Sequence, residues 1–510
     1  MEMAATAVQA PAGAPGLKRN AISFGSSVVI GVASTAPGYS LAAVLGLVVA
    51  VQGVGVHAPA VMLVSFVPML LVALAYKYMN RVDPDAGTTF AWATRAFGPV
   101  PGWIGGWAII VADLIVMANL AQIAGLYTFL LFGVDSPSIV AVTGVGVVWI
   151  AVMTAVCVVG IELNARTQRW LLTAEIVTLA LFAVVALVRV WAGDAPAGAV
   201  HPSLSWFSPF GIGSVSALTT GVLLAAFIYW GWDTLVCVNE ETEDAETVPG
   251  RAAVVSTLVL VGIYVVVSAA AVAFGGVDRL AGDKSGDVLG LLAGDVFGSS
   301  LLGKLMIVAV LSSAAASTQT TILPTSRTAL SMARAKALPS ALAEIHPRYL
   351  TPHVATWLMG GLSIAWYVGL TIVSQDILLD SISALGLMIA FYYGLTGFAC
   401  AWYHRGALTR SLRRAVLAVV GPFVGGAILM YVFVRSCIDL GRADAGSTTY
   451  LGIGSPLAIG LGLLALGVVL MVFWYLRGHR EFFRRRPDRT GLGIPLAGPT
   501  PAPAPATSGD

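Results

Sequence analysis

The chain has 510 residues, 57% of them hydrophobic and 11% charged, with a formal net charge of +2 and a mean hydropathy of +0.86. Soluble domains carry about 25% charged residues, so this composition excludes a water-soluble globular chain and describes a protein built for lipid. So small a net charge points to no nucleic-acid partner.

Residues 1–20 are rich in Ala, Pro and Gly and are expected to form a disordered cytoplasmic leader. Lys18-Arg19 opens an apolar run too long for the h-region of a signal peptide. From there twelve apolar runs follow, each near the ~20 residues a spanning helix needs. They cover 22–51, 58–76, 103–132, 139–159, 170–191 and 215–238, then 252–274, 301–323, 354–373, 382–402, 415–434 and 456–475. Runs 1 and 3 are too long for one straight crossing and must be broken, strongly tilted or protruding. The basic run Arg484-Arg485-Arg486 can lie on anionic lipid, and residues 478–510 are expected to be a disordered cytoplasmic tail.

Lysine and arginine orient the spans. With a cytoplasmic N-terminus, all but Arg189, Arg279, Lys284, Lys304, Arg435 and Arg442 of the 28 basic residues fall on the cytoplasmic side. That asymmetry follows the positive-inside rule. It predicts a multi-pass protein of the cell membrane with both termini cytoplasmic.

Cys157, Cys237, Cys400 and Cys437 sit in or at the ends of spans without metal-ligand spacing and read as small apolar residues. The six histidines do not cluster, and no nucleophile–base pair or phosphate-binding loop is visible. No enzyme activity, cofactor or metal is therefore expected.

Two runs are interrupted. The first carries Gly31-Val32-Ala33-Ser34-Thr35-Ala36-Pro37-Gly38-Tyr39 at its middle. Proline removes a backbone donor and blocks the carbonyl four residues back, and lipid cannot repair the lost bonds. Run 6 carries Phe227-Ile228-Tyr229-Trp230-Gly231-Trp232-Asp233, a glycine among aromatics followed by a carboxyl that costs about 2.5–3.5 kcal/mol at bilayer depth. Interruptions at corresponding positions of two halves point to a transport site between inverted repeats. The expected fold is an all-α polytopic membrane protein of twelve transmembrane helices. Helices 1–5 (about 21–192) and 6–10 (about 212–405) form a 5+5 inverted repeat with helices 1 and 6 broken, giving a core over 21–405, and helices 11 and 12 are appended over 406–477.

Four stretches in order resemble the amino acid–polyamine–organocation superfamily of permeases, in its bacterial amino acid permease form. They are Gly31 to Ser40; Pro84-Asp85-Ala86-Gly87-Thr88-Thr89-Phe90 through Gly105-Gly106-Trp107; Gly231-Trp232-Asp233 with Asn239-Glu240-Glu241-Thr242; and Ser326-Arg327 through Thr351-Pro352-His353. The resemblance covers nearly all of helices 1–10. It implies a secondary transporter that moves an amino acid or related amine by alternating access. It also implies a substrate site of Gly31, Val32, Ala33, Ser34, Thr35, Phe227, Tyr229, Trp230 and Gly231. Free N–H groups where the first helix restarts would bind a substrate carboxylate, and carbonyls at the second break would bind an amine.

Three intramembrane acids stand out. Asp233 is a candidate for coupling or gating. Asp113 is a candidate for coupling or for a second substrate amine, although it lies about 120° from Asn119 and 180° from Gln122 around its helix. Glu175 is roughly 9 Å along the axis from Arg169 and reads as a structural acid near the cytoplasmic interface. Ser313 and Ser317, with Ser312 and Thr318, are hydroxyls of the type that binds Na⁺, or that bridges helices. The titratable acids favour protons over Na⁺. An exchanger or exporter on the same scaffold is the nearest alternative. A channel would need a continuous polar lining, and the polar residues are sparse.

Overall fold

The computed structural model describes residues 16–134, 136–283, 287–298, 301–373 and 375–487. The protein is all-α and polytopic. Its helices in chain order are α1 (Phe24–Ser34), α2 (Pro37–Ala50), α3 (Ala58–Val82), α4 (Thr89–Phe97), α5 (Pro99–Leu131) and α6 (Ile139–Val159). Next come α7 (Ile161–Ala192), α8 (Val215–Tyr229), α9 (Thr234–Cys237), α10 (Val248–Gly275), α11 (Val277–Ala281) and α12 (Val288–Phe297). The last are α13 (Leu301–Arg334), α14 (His353–Val373), α15 (Gln375–Tyr403), α16 (Leu412–Ala415), α17 (Gly421–Asp439) and α18 (Ser455–Leu476). A two-stranded hairpin, β1 (Thr449–Tyr450) with β2 (Ile453–Gly454), precedes α18.

Among the described residues, 11 spans are long and apolar enough to cross a membrane, with α1 and α2 counted together. The sixth predicted run is divided: α8 has 15 residues and ends before the Gly231 interruption. Run 3 is not broken. It forms the continuous 33-residue α5, because its glycines sit in close helix contacts: Gly105 and Gly106 face Thr89 and Phe90 of α4. The stretch between α3 and α5 holds α4, and α11 and α12 lie between α10 and α13.

Helix ends follow local chemistry. Ser138 and Ser214 cap α6 and α8 through their hydroxyls. Pro37 opens α2 at a position where no N–H is needed. Burial sorts the spans by depth in the bundle. The Phe24–Ala50 window is 89% buried and Ser455–Leu476 only 22%, so the broken pair is central and α18 is peripheral. The α1 helix packs on α7, α9, α10 and α13, and α2 on α8 and α13.

The leader over 1–15 lies outside the described residues, as does the tail over 488–510. The start of the tail is ordered, contrary to expectation. Phe482 is fully buried and stacks on Phe90 of α4 with ring centroids 5.5 Å apart, while Arg485 donates to the Ala335 carbonyl. An aromatic side chain inside a basic run gives that run an apolar anchor on the protein.

Candidate transport site

The first break is set by backbone geometry. The α1 helix ends at Ser34, Ala36 takes a left-handed conformation with φ 46°, and Pro37 restarts the helix. The Thr35 hydroxyl donates to the Val32 carbonyl at 2.7 Å and the Ser40 hydroxyl to the Thr35 carbonyl at 2.6 Å. The two hydroxyls thus supplement the backbone bonds at the break, Val32 O also accepting the Thr35 N–H.

At the second break α8 stops at Tyr229, Trp230 is extended, and Gly231 has φ +116°. The two breaks touch. A Cβ on Gly231 would stand 2.6 Å from the Ser34 carbonyl oxygen and 3.1 Å from the Thr35 nitrogen, so only glycine fits. The Ser34 and Thr234 hydroxyls share a hydrogen bond of 2.7 Å, and Tyr39 meets Phe227 edge-on at 6.1 Å.

Asp233 follows directly and collects three phenols. Its Oδ1 accepts from Tyr393 at 2.9 Å, and its Oδ2 from Tyr392 at 3.0 Å and Tyr76 at 3.3 Å. Trp230 donates its indole N–H to the Tyr392 oxygen. This carboxyl thereby joins the second break to α3 and α15. Asp113 on α5 accepts from the Thr325 hydroxyl of α13 at 3.1 Å and lies within electrostatic reach of Asp233. Both acids are buried.

The first turn of α2 is already occupied. Glu175 of α7 accepts the Gly38 N–H at 2.6 Å and the Ser313 hydroxyl at 2.8 Å through the same Oε1. Ser313 in turn accepts the Tyr39 N–H at 3.2 Å. The N–H groups expected to be free for a substrate carboxylate therefore have partners within the chain. Glu175 is fully buried. Arg169, its expected neighbour, donates to the Ser26 hydroxyl instead, at 3.3 Å. Ser317 donates to the Ser34 carbonyl at 3.0 Å.

Of the sequence-selected residues, Ser34, Thr35, Gly231 and Ser317 come together at the contact of the breaks, with Phe227 beside Tyr39. Gly31 packs where a Cβ would meet Leu235 and Ser256, and Val32 and Ala33 are buried beside it. Tyr229 is engaged elsewhere: its hydroxyl donates to the Met62 carbonyl at 3.1 Å, and its ring meets Tyr264. Sequence reasoning did not select Tyr76, Tyr392 or Tyr393; for the last two the signal was a Tyr-Tyr pair inside an apolar run. It weighed Glu175 as structural, and the bonds of Glu175 to Gly38 and Ser313 tie α7 to α2 and α13.

Past the second break, Arg327 of α13 grips Glu241 through two bonds, Nε to Oε2 at 2.9 Å and Nη2 to Oε1 at 3.0 Å. Both side chains are fully buried. Arg334 binds both oxygens of Glu240 at 3.0 and 2.8 Å. These pairs fasten the segment after the second break to the end of α13.

A family model described as amino acid permease matches residues 20–454. The chain belongs to the amino acid permease family. The permease is 28% identical over 394 residues to an uncharacterized transporter of Mycobacterium tuberculosis (strain CDC 1551 / Oshkosh), covering 74% of this chain and 80% of that one. It is 24% identical over 326 residues to a branched-chain amino acid permease of Bacillus subtilis (strain 168), covering 59% and 64%. It is 26% identical over 203 residues to a low-affinity putrescine importer of Escherichia coli (strain K12), covering 40% and 43%. The family places the permease in the amino acid–polyamine–organocation superfamily, and its relatives are membrane transporters rather than enzymes.

Proposed function

We propose that the permease carries an amino acid or related amine across the cell membrane by alternating access, driven by protons. The observation that carries this reading is the contact of two helix breaks, Gly231 on Ser34, next to the buried carboxyls of Asp113 and Asp233. Broken helices at membrane depth are tolerated where they line a solute path. Relatives named for branched-chain amino acids and for putrescine support an amine-bearing solute. The proposed scaffold is twelve spans, a 5+5 inverted repeat and two appended helices, with both termini cytoplasmic.

Protons are favoured over Na⁺ because the hydroxyls of Ser313 and Ser317 already serve Glu175, Tyr39 and Ser34. The buried carboxyls of Asp113 and Asp233 are groups that can take up and release a proton. Counterflow and gradient-driven uptake in proteoliposomes test the proposal. Accumulation driven by a pH gradient that is acid outside the vesicle, and abolished by a protonophore, is expected. Accumulation driven only by a Na⁺ gradient would overturn the coupling, and no movement of any amino acid or amine would overturn the carrier.

A further inference from the structure

Two arginines at helix ends are matched by carboxylates. Arg95, in the last turn of α4, meets Asp83 at 2.9 Å, and Arg334, in the last turn of α13, meets Glu240 at 2.8 Å. Another group departs from that pattern. Arg81, in the last turn of α3, and Arg410 and Arg414, in the connection from α15 to α17, line one open cavity of about 360 Å³. Tyr78, His404 and Ser411 line it too, and no carboxylate does. Asp83, two residues after Arg81, is turned to Arg95. Among the described residues none of the three guanidinium groups is ion-paired.

The cavity lies where three membrane spans end: α3 at Val82, α15 at Tyr403 and the span that begins at Leu412. That is the level of lipid headgroups. All three arginines are exposed, so water satisfies their donors but leaves three like charges around one hollow. His404 adds little to that charge, since burial and the nearby Arg414 push its pKa down. The volume falls within the ~300–1,000 Å³ of small-molecule sites. Beside the hollow Leu408 is 55% exposed and Leu412 83% exposed, and Val416 and Val420 continue the apolar surface toward α17. A basic hollow at headgroup level, leading onto an apolar strip, matches the two halves of a lipid. A free anion would leave the strip uncovered.

We infer that this hollow binds the phosphodiester headgroup of an anionic phospholipid, whose acyl chains lie along Leu412, Val416 and Val420. Guanidinium groups carry only donors and meet phosphate oxygens through paired parallel bonds. A zwitterionic headgroup brings its own cation and weakens the attraction. Because Arg81 belongs to α3 and Arg410 and Arg414 follow α15, one headgroup fastens two segments together. Those helices carry Tyr76, Tyr392 and Tyr393, the phenols on Asp233, so the lipid steadies the frame of the second break.

The experiment titrates the full chain, purified in detergent, with phosphatidylglycerol, phosphatidylcholine or soluble glycerophosphoglycerol, and reads the thermal midpoint. Phosphatidylglycerol is expected to raise it saturably, and the other two to leave it unchanged. Arg81→Gln should raise the lipid concentration for half the effect about tenfold, the scale of one lost charge-assisted contact. Adding Arg414→Gln should raise it further. Arg348→Gln removes the same charge from an exposed position outside the cavity and should not move it. An equal effect of phosphatidylcholine, or equal shifts in Arg81→Gln and Arg348→Gln, would overturn the site. A midpoint raised equally by glycerophosphoglycerol would overturn the lipid as its occupant. The headgroup comparison on wild type needs no variant, and the exposed Arg410→Gln serves if the double variant does not fold.

Discussion

Gly231 lies against Ser34, so close that a methyl group on Gly231 would stand 2.6 Å from the Ser34 carbonyl oxygen. Two residues 197 positions apart in sequence thus meet backbone to backbone where both helices are interrupted. Gly231→Ala should cost about 2–4 kcal/mol, from the positive φ and the overpacked contact together. Thermal unfolding in detergent should show a clearly lower midpoint, and a midpoint equal to wild type would refute the contact.

Asp233 binds Tyr393 at 2.9 Å through one oxygen and shares the other between Tyr392 and Tyr76. Tyr393→Phe leaves Oδ1 without its phenol, whereas Tyr76→Phe removes the longest bond of a shared pair. Hydrogen bonds to a charged group contribute about 1.5–3 kcal/mol. Tyr393→Phe should therefore shift the pH profile of uptake further than Tyr76→Phe. The reverse order would contradict the geometry.

Asp113 accepts a single hydroxyl, from Thr325. Asp113→Asn is expected to depress uptake of lysine or a diamine more than uptake of a neutral amino acid. If cationic uptake in the variant matches wild type, Asp113 has no part in cation recognition.

Arg327 and Glu241 form a two-bonded pair with no solvent exposure. Removing one partner strands a buried charge, so Arg327→Ala should lose about 3–5 kcal/mol. Replacing both, as Arg327→Met with Glu241→Leu, should recover much of that loss. A double-mutant cycle on thermal midpoints checks it; additive losses would mean that the pair is not coupled.

Phe482 anchors the ordered part of the tail on Phe90. Phe482→Ala should destabilise by about 3 kcal/mol, as truncation of a packed aromatic does. Its exposed neighbour Arg484 should tolerate alanine with little change. Equal effects of the two substitutions on unfolding would show that the anchor contributes nothing.

The sequence by itself determined the all-α membrane class, most of the span positions and both interruptions. Each rests on a local property: 20-residue hydropathy, a proline without a donor, a glycine among aromatics. The Ala36-Pro37 break and the Gly231 break stand where the backbone chemistry put them. Only the tertiary structure decided what those breaks meet. Glu175 is six residues from Arg169 along the chain, yet it turns to Gly38 and Ser313 on two other helices. Asp233 likewise finds its phenols on α3 and α15, and Arg327 its partner past the second break. A membrane helix records in its own sequence where its backbone fails, because that depends on neighbours a few residues away. Which buried side chain repairs the failure depends on how the helices pack, and no single run of residues carries that information.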